Sequence, residues 1–138
     1  MYRISKQFGF SAGHILEGLP DGHQCGRPHG HNYLVEVRIG APDLDHRGFV
    51  VDYGDLSTFG DWIASVWDHR WLGAGPVTAL GREWGPVMLG NPTAERIAAR
   101  MRDWLVTWTG TVANGELQRV LLPVEVAVSE TPKTWAWT

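Results

Sequence analysis

The chain lacks the features that mark several classes of protein. Its 138 residues contain one cysteine, so an internal disulfide framework is excluded. Lysine occurs only as Lys6 and Lys133 and no arginine-rich run appears, which excludes the basic surface typical of nucleic-acid binding. No apolar run approaches the ~20 residues of a membrane span. The N-terminus has no signal-peptide core, so we expect a cytoplasmic protein whose residues 1–138 form one domain.

Histidine, in contrast, is concentrated in one short segment. Three of the six histidines and the only cysteine lie within HQCGRPHGH, residues 23–31. This crowding of imidazoles around one thiol raises two questions, whether the histidines bind a metal and whether the cysteine reacts.

Alternating apolar residues predict strands over residues 2–14, 29–40 and 119–130, and a short strand over residues 49–52. A loop is expected between them at residues 41–48. In the last strand Val124, Val126, Val128 and Glu130 share one face. The predicted order is β-β-β-α-α-β, which favours an α+β fold with an antiparallel sheet and two helices on one of its faces.

Two apolar stripes at helical spacing predict the helices. The first helix is expected after Asp52, which is placed to cap it, and its stripe is Leu56, Phe59, Ile63 and Val66. A loop rich in glycine and proline follows at residues 73–90. The second helix is expected to start at Asn91-Pro92, with Asn91 as its cap, and to end at Gly110. Its stripe is Ile97, Met101, Leu105 and Trp108.

The spacing of three histidines indicates a metal site. His29 and His31 are two residues apart, so on a strand both side chains leave the same face. His14 ends the first strand, and antiparallel pairing of the two strands would bring the three imidazoles together. Three histidines with an open fourth position are typical of catalytic zinc. The competing interpretation is two surface histidines and one core histidine.

Cys25 lies four residues before His29 in a polar, glycine-rich loop. A nearby metal or cation lowers the pKa of a thiol and raises its reactivity. Two other interpretations stay open, namely a buried inert cysteine and a fourth metal ligand that would close the site.

Two further acidic positions are candidates for chemistry. Asp68 directly precedes His69, and a carboxylate beside a histidine fixes its tautomer, although a solvated pair at the end of a helix is the simpler interpretation. Glu130 continues a buried strand face and needs a partner there, such as a ligand with two adjacent N–H donors. Otherwise the strand ends at Val128 and Glu130 is solvated.

Six segments in chain order carry a resemblance to a known family. The chain contains FSAGH (10–14), CGRPHGHNY (25–33), VVDYGDL (50–56), WDHRWL (67–72), NPTAERIA (91–98) and SETPKTWA (129–136). Together they resemble the 6-pyruvoyl-/6-carboxy-tetrahydropterin synthase family. The spacing from Cys25 to His29 resembles the bacterial 6-carboxytetrahydropterin synthases, which supply queuosine and other 7-deazapurines.

The resemblance implies both architecture and chemistry. It implies the tunnelling fold, in which sheets from several subunits close into a barrel, and a homo-oligomer (trimer or hexamer) with active sites at subunit interfaces. It implies zinc at His14, His29 and His31, Cys25 as catalytic base, Asp68 and His69 as its partner dyad, and Glu130 as the pterin anchor. The implied reaction converts 7,8-dihydroneopterin triphosphate to 6-carboxy-5,6,7,8-tetrahydropterin, acetaldehyde and triphosphate.

Three other functions remain as alternatives. The first is 6-pyruvoyl-tetrahydropterin synthesis from the same substrate. The second is a zinc hydrolase that uses only the histidines and water, and the third is a zinc- or pterin-binding module without turnover. Neither the hydrolase nor the module explains Cys25, the Asp68-His69 pair and Glu130 at once.

Overall fold

The computed structural model describes residues 1–73, 75–79, 81–88, 90–115, 121 and 123–138, with only the backbone described at 79 and 111–115. Along this part of the chain the elements follow in the order β1 (Tyr2–His14), β2 (His29–Ala41), α1 (Ser57–Val66), β3 (Arg70–Trp71), β4 (Val77–Ala79), β5 (Arg82–Trp84), α2 (Ala94–Gly115), β6 (Val124–Thr131) and β7 (Thr134–Trp137).

The main sheet of the described residues has the strand order β3-β1-β2-β6-β7. All its pairings are antiparallel except β1 with β3, which run parallel at Ala12 and Gly13. The long β1–β2 ladder sets His14 opposite His29 and Ala12 opposite His31. The α+β class is therefore confirmed, with a mixed sheet in place of the purely antiparallel one.

The core lies between one face of the sheet and the two helices found within the described residues. Strand alternation turns Tyr33, Val35, Val37 and Ile39 of β2 inward, and β6 adds Val124, Val126 and Val128. The apolar stripes of the helices close the core from the other side, through Phe59, Ile63, Ile97, Met101 and Leu105.

Several predicted boundaries are wrong. Residues 49–52 form no strand. The loop before them is closed by Asp45, whose Oδ1 accepts hydrogen bonds from the backbone N–H groups of Arg47 and Phe49. Asp52 does not cap α1; its carboxylate closes a turn on the N–H of Gly54 at 2.7 Å, and the helix begins only at Ser57.

The second helix also differs from its prediction. It begins at Ala94, and Thr93 accepts the hydrogen bonds of its first turn, through Oγ1 from Arg96 N at 3.4 Å and through its carbonyl from Ile97 N at 2.9 Å. Asn91 is therefore not the cap, and its side chain binds the backbone of Glu17. The helix passes Gly110 and continues to Gly115, because a glycine within a helix costs only about 1 kcal/mol.

Four strands had no counterpart in the prediction. The loop expected at 73–90 contains the β4–β5 hairpin, and β3 and β7 are further short strands. The strand expected at 119–130 begins at Val124, and its predicted residues 119, 120 and 122 lie outside the described residues. Neither described helix combines the length and hydropathy that crossing a lipid bilayer requires.

Neighbouring residues of α2 offer a matched test of the core. Leu105 is 0% exposed and Val106 is 41% exposed. We expect Leu105→Ala to lower the free energy of unfolding by about 2–5 kcal/mol, because it leaves a cavity between α2 and the sheet. Val106→Ala should change it by less than about 0.5 kcal/mol. Chemical denaturation measures both, and equal effects would contradict this placement of α2.

Candidate metal centre and active site

Three histidines converge at one end of the β1–β2 ladder. The ligand nitrogens of His14, His29 and His31 all lie within 4.8 Å of one another, and Nε2 of His14 is 3.0 Å from Nε2 of His29. The register produces this meeting, since His14 faces His29 directly and His31 lies two residues further along the same face. Gly30 permits the close approach, because a Cβ there would lie 3.1 Å from the carbonyl oxygen of Ala12.

Backbone carbonyl groups fix which nitrogen of each ring carries the proton. Nδ1 of His14 lies 2.9 Å from the carbonyl oxygen of Pro92, and Nδ1 of His29 lies 2.7 Å from that of Arg27. A carbonyl oxygen only accepts hydrogen bonds, so both Nδ1 atoms donate. Both Nε2 atoms therefore carry lone pairs, which point into the space between the three rings. His31 also makes a hydrogen bond with the backbone of Glu130.

This arrangement suits a bound cation. Nε2 of His31 is buried and has no hydrogen-bond partner among the described residues, and the His14 and His29 lone pairs face each other across 3.0 Å. A metal ion between them would satisfy all three nitrogens, and rings that donate their other nitrogen to a carbonyl are typical of metal ligands. Three neutral imidazoles with a free fourth position fit zinc.

Burial favours the neutral form of His14 and His31, which is the form that binds metal. The His14 side chain is 0% exposed, and burial lowers its pKa to about 4. Burial also lowers the pKa of His31, helped by the neighbouring His29. Tyr33, on the same strand face as His29 and His31, places its hydroxyl 3.2 Å from Nδ1 of His14. The two-residue spacing from His31 puts Tyr33 on the predicted histidine face, although the sequence interpretation assigned it no role in the site.

Glu130 reaches the cluster from β6. Its Oε1 lies 3.9 Å from Nε2 of His14 and is buried, with no hydrogen-bond partner in the part of the chain that the structure describes. Burial raises the pKa of this carboxyl. The side chain is 22% exposed and also lines a cavity of about 400 Å³ together with Glu95 and Trp135. Glu130 is therefore not a solvated strand end, and it faces a space that a ligand can enter.

Asp68 and His69 lie in the turn between α1 and β3. Asp68 accepts a hydrogen bond from Ser11 N through Oδ1 at 2.9 Å and contacts Nδ1 of His69 through Oδ2 at 2.9 Å. The bond from Ser11 and the one from His69 lower the pKa of the Asp68 carboxyl. His69 adopts the left-handed backbone conformation, with φ of 55°, and its N–H donates to the Ser11 carbonyl. The imidazole itself is 82% exposed.

One cavity joins the dyad to the histidine cluster. It has a volume of about 680 Å³ and is lined by His29, His31 and His69, with Trp71 and Trp84 as aromatic walls. Trp71 is held in place by a hydrogen bond from its indole to Gly75 O and by contact with Gly13. The sequence interpretation did not identify either tryptophan, since nothing in their local pattern differs from that of core aromatics.

Cys25 lies apart from the metal ligands. It belongs to a one-turn 3-10 helix, Gln24–Gly26, in which its N–H donates to Nδ1 of His23 at 3.1 Å. It is half-buried, which does not agree with an inert core cysteine. Among the described residues, the group of mutually close ligand atoms holds the three histidines and not the thiol, so the geometry does not support Cys25 as a fourth ligand.

Comparisons with known proteins agree with this geometry. A sequence model described as 6-pyruvoyl tetrahydropterin synthase matches residues 3–138. A Halobacterium salinarum protein named "Probable 6-carboxy-5,6,7,8-tetrahydropterin synthase" is 36% identical over 129 residues, covering 88% of this chain and 76% of its own. The Bacillus subtilis 6-carboxy-5,6,7,8-tetrahydropterin synthase is 25% identical over 134 residues, covering 97% and 82%. The structure of Caenorhabditis elegans 6-pyruvoyl tetrahydropterin synthase shares the fold, with a TM-score of 0.72 at 24% identity over 99% and 94% of the two chains.

The lowered pKa of His14 predicts how the metal-free protein responds to acid. The unfolded chain binds a proton at His14 near pH 6.5, whereas the folded chain binds it only near pH 4. Between these values the unfolded state holds more protons, so the free energy of unfolding should fall as the pH drops from 6.5 to 4 and be unaffected by His14 above 6.5. Denaturant titrations with a chelator measure this slope. In His14→Gln it should be shallower; an identical slope in both proteins would contradict the prediction.

Proposed function

Because the chain belongs to the 6-pyruvoyl tetrahydropterin synthase family, we propose that it converts 7,8-dihydroneopterin triphosphate and water to 6-carboxy-5,6,7,8-tetrahydropterin, acetaldehyde and triphosphate. The observation that carries the proposal is the convergence of three imidazole lone pairs with the carboxyl of Glu130 beside them. The names of the Halobacterium and Bacillus relatives favour the carboxy product over the pyruvoyl one. Residues 1–138 would then form one domain that supplies queuosine or other 7-deazapurine synthesis.

The proposed roles of the residues combine the family resemblance with their positions. A zinc ion held by the three histidines would supply Lewis acidity to the hydroxyl oxygens of the substrate side chain. The Cys25 thiolate removes a proton from that side chain. His69, oriented by Asp68, carries protons between the side chain and the ring. The side chain is oxidised while the ring gains two hydrogens, triphosphate leaves, and carbon–carbon cleavage with water then releases acetaldehyde.

Glu130 would hold the pterin ring during this sequence. Its carboxylate accepts hydrogen bonds from the amino group and an adjacent ring N–H, which form a two-donor edge that matches two carboxylate oxygens. The supporting observation is the buried Oε1 that has no partner within the described residues. A ligand edge would satisfy this oxygen without moving the strand.

Product analysis tests the proposed reaction. Purified protein loaded with zinc is incubated with 7,8-dihydroneopterin triphosphate, and the products are identified by mass spectrometry. We expect 6-carboxy-5,6,7,8-tetrahydropterin and acetaldehyde in equal amounts. A diketone side chain on the product would identify a 6-pyruvoyl-tetrahydropterin synthase instead. Binding without any product would indicate a binding module, and hydrolysis of the phosphates alone would indicate a zinc hydrolase.

Two alanine variants separate the thiol from the metal ligands. We expect Cys25→Ala to keep about one zinc per chain and to lose turnover at least about a hundredfold, because the base is gone while the three histidines remain. His29→Ala should lose the zinc as well as the activity. Metal analysis and steady-state kinetics measure both. Zinc loss in Cys25→Ala would make the cysteine a ligand and the site structural.

The pterin anchor is tested by removing one charge. Glu130→Gln keeps the side-chain volume, and affinity for 7,8-dihydroneopterin should fall by about 2–3 kcal/mol, the cost of a lost charge-assisted pair. Calorimetry measures the affinity. Glu125→Gln, on the same strand and opposite Arg38, is the matched control and should bind as the parent protein does. Equal affinities in both variants would remove Glu130 from the binding site.

We further propose that the sheets of several chains close into a barrel, in a trimer or hexamer whose active sites lie at subunit interfaces. In such a site Cys25 and zinc of one chain face His69 of its neighbour. The exposed imidazole of His69 supports this arrangement, since a neighbour can reach it. So does β7, because no further strand of the described residues pairs with its outer edge, and pairing with another chain would satisfy that edge.

Complementation tests the shared site. Cys25→Ala and His69→Ala oligomers should each be inactive, and co-refolding the two should restore activity at about a quarter of the sites, those that pair a wild-type Cys25 with a wild-type His69. Activity and mass analysis of the mixed oligomers measure this. Mixed oligomers without activity would place thiol and dyad within one chain, where His69 and the histidine cluster already line the same cavity.

A further inference from the structure

Asn91 makes a contact that neither its predicted role nor the proposed chemistry explains. Its Oδ1 accepts a hydrogen bond from the N–H of Glu17 at 2.9 Å, and its Nδ2 donates to the carbonyl of the same residue at 3.0 Å. One amide side chain therefore satisfies both backbone groups of a residue 74 positions away in the sequence. Thr93 serves the first turn of α2, so Asn91 is free for this contact.

The segment that Asn91 holds is the one that holds Cys25. Leu16, next to Glu17, donates its N–H to the carbonyl oxygen of Cys25 at 2.9 Å. The 3-10 turn that contains Cys25 has two further internal bonds, from Gly26 N to His23 O and from Arg27 N to Gln24 O. A fixed Glu17 thus fixes Leu16, and Leu16 fixes the backbone of the thiol.

The next residue along the chain contacts one candidate metal ligand. The carbonyl oxygen of Pro92 accepts the hydrogen bond from Nδ1 of His14, which is buried. Two consecutive residues, Asn91 and Pro92, therefore bind the loop of the proposed base and one of the three histidines. The planar peptide bond between them and the fixed φ of proline limit how far these two contacts can move relative to each other.

We propose that Asn91 is a positioning residue that holds the Cys25 loop at a fixed place relative to the three-histidine cluster. The proposal rests on the proposed function in one respect, the role of Cys25 as the base. A base must lie within hydrogen-bond reach of the proton that it removes, and a small displacement costs rate more than affinity. Loss of the Asn91 contact should thus lower kcat and leave KM and zinc content near those of the parent protein.

Two variants and one control test this role. Asn91→Ala removes both hydrogen bonds, whereas Asn91→Asp keeps an acceptor for Glu17 N–H and loses the donor. Asp45→Ala is the matched control, because it also removes side-chain acceptors from two backbone N–H groups, those of Arg47 and Phe49, in another loop. Each protein is measured for kcat, KM, zinc content and backbone amide exchange of Leu16 by NMR.

We expect kcat to fall at least tenfold in Asn91→Ala and less in Asn91→Asp, with KM within twofold and zinc unchanged. The Leu16 amide, which Asn91 does not contact, should lose its protection from hydrogen exchange in Asn91→Ala. Asp45→Ala should change neither kcat nor the exchange of Leu16. Kept protection of Leu16, or a fall in kcat no larger than in Asp45→Ala, would overturn the proposal. If the wild-type protein shows no pterin turnover, the proposed function fails, and the exchange of Leu16 still decides whether Asn91 orders the Cys25 loop.

Discussion

The register of β1 against β2 is the constraint on which the site depends. Antiparallel pairing places His14 across from His29, and the two-residue period of a strand then brings His31 onto the same face. A slip of one residue would turn either strand over and send its histidines to the opposite face. The register is held by the core, since the same alternation buries Tyr33, Val35 and Val37 further along β2. The energy of the apolar core therefore maintains the geometry of the polar cluster.

The chemistry-bearing residues gather around the end of β1, although they come from distant parts of the sequence. Ser11 holds Asp68 and His69 through its N–H and carbonyl, and three residues later His14 joins the histidine cluster. The turn after α1 lies beside β1 because β3 pairs with β1 in parallel. The residues before α2 lie beside the end of β1 because the carbonyl of Pro92 accepts a hydrogen bond from His14. One strand end thus organises contacts from three segments of the chain.

Periodicity predicted the parts of the fold in which burial dominates. The strands β1 and β2, the helical stripes and the inward residues of β6 all follow from alternation or from helical spacing, because one face of each element packs on the core. Periodicity and local signals failed at residues 49–52, which form no strand, and at Asn91, which does not cap α2. Both carry local signals, a β-branched run and an Asn-Pro pair, which other hydrogen bonds override. Asp45 accepts hydrogen bonds from the loop that precedes residues 50–52, and Asn91 binds the backbone of the distant Glu17.

The candidate site also contains residues that the sequence predicts and residues that it does not. Spacing and strand parity were enough to expect that His14, His29 and His31 meet, since the three lie on two neighbouring strands. The carbonyl groups of Pro92 and Arg27, which orient two of the rings, belong to loops. The course of a loop follows no repeating sequence pattern, so these contacts were not predicted. Trp71 and Trp84 escaped prediction for a related reason, because each lies on an element too short to show a period. Trp71 belongs to the two-residue strand β3, and Trp84 belongs to the small β4–β5 hairpin.

Crowding three lone pairs around one point would link the stability of the folded chain to the supply of the proposed ion. Folding alone brings the ligand nitrogens within 4.8 Å of one another, so a bound ion would remove a repulsion that the metal-free chain carries. An ion that binds only the folded state adds about 1.4 kcal/mol of stability for each tenfold rise in its free concentration above the dissociation constant. Under the proposed function, the fraction of folded chains would therefore rise and fall with the free concentration of the ion.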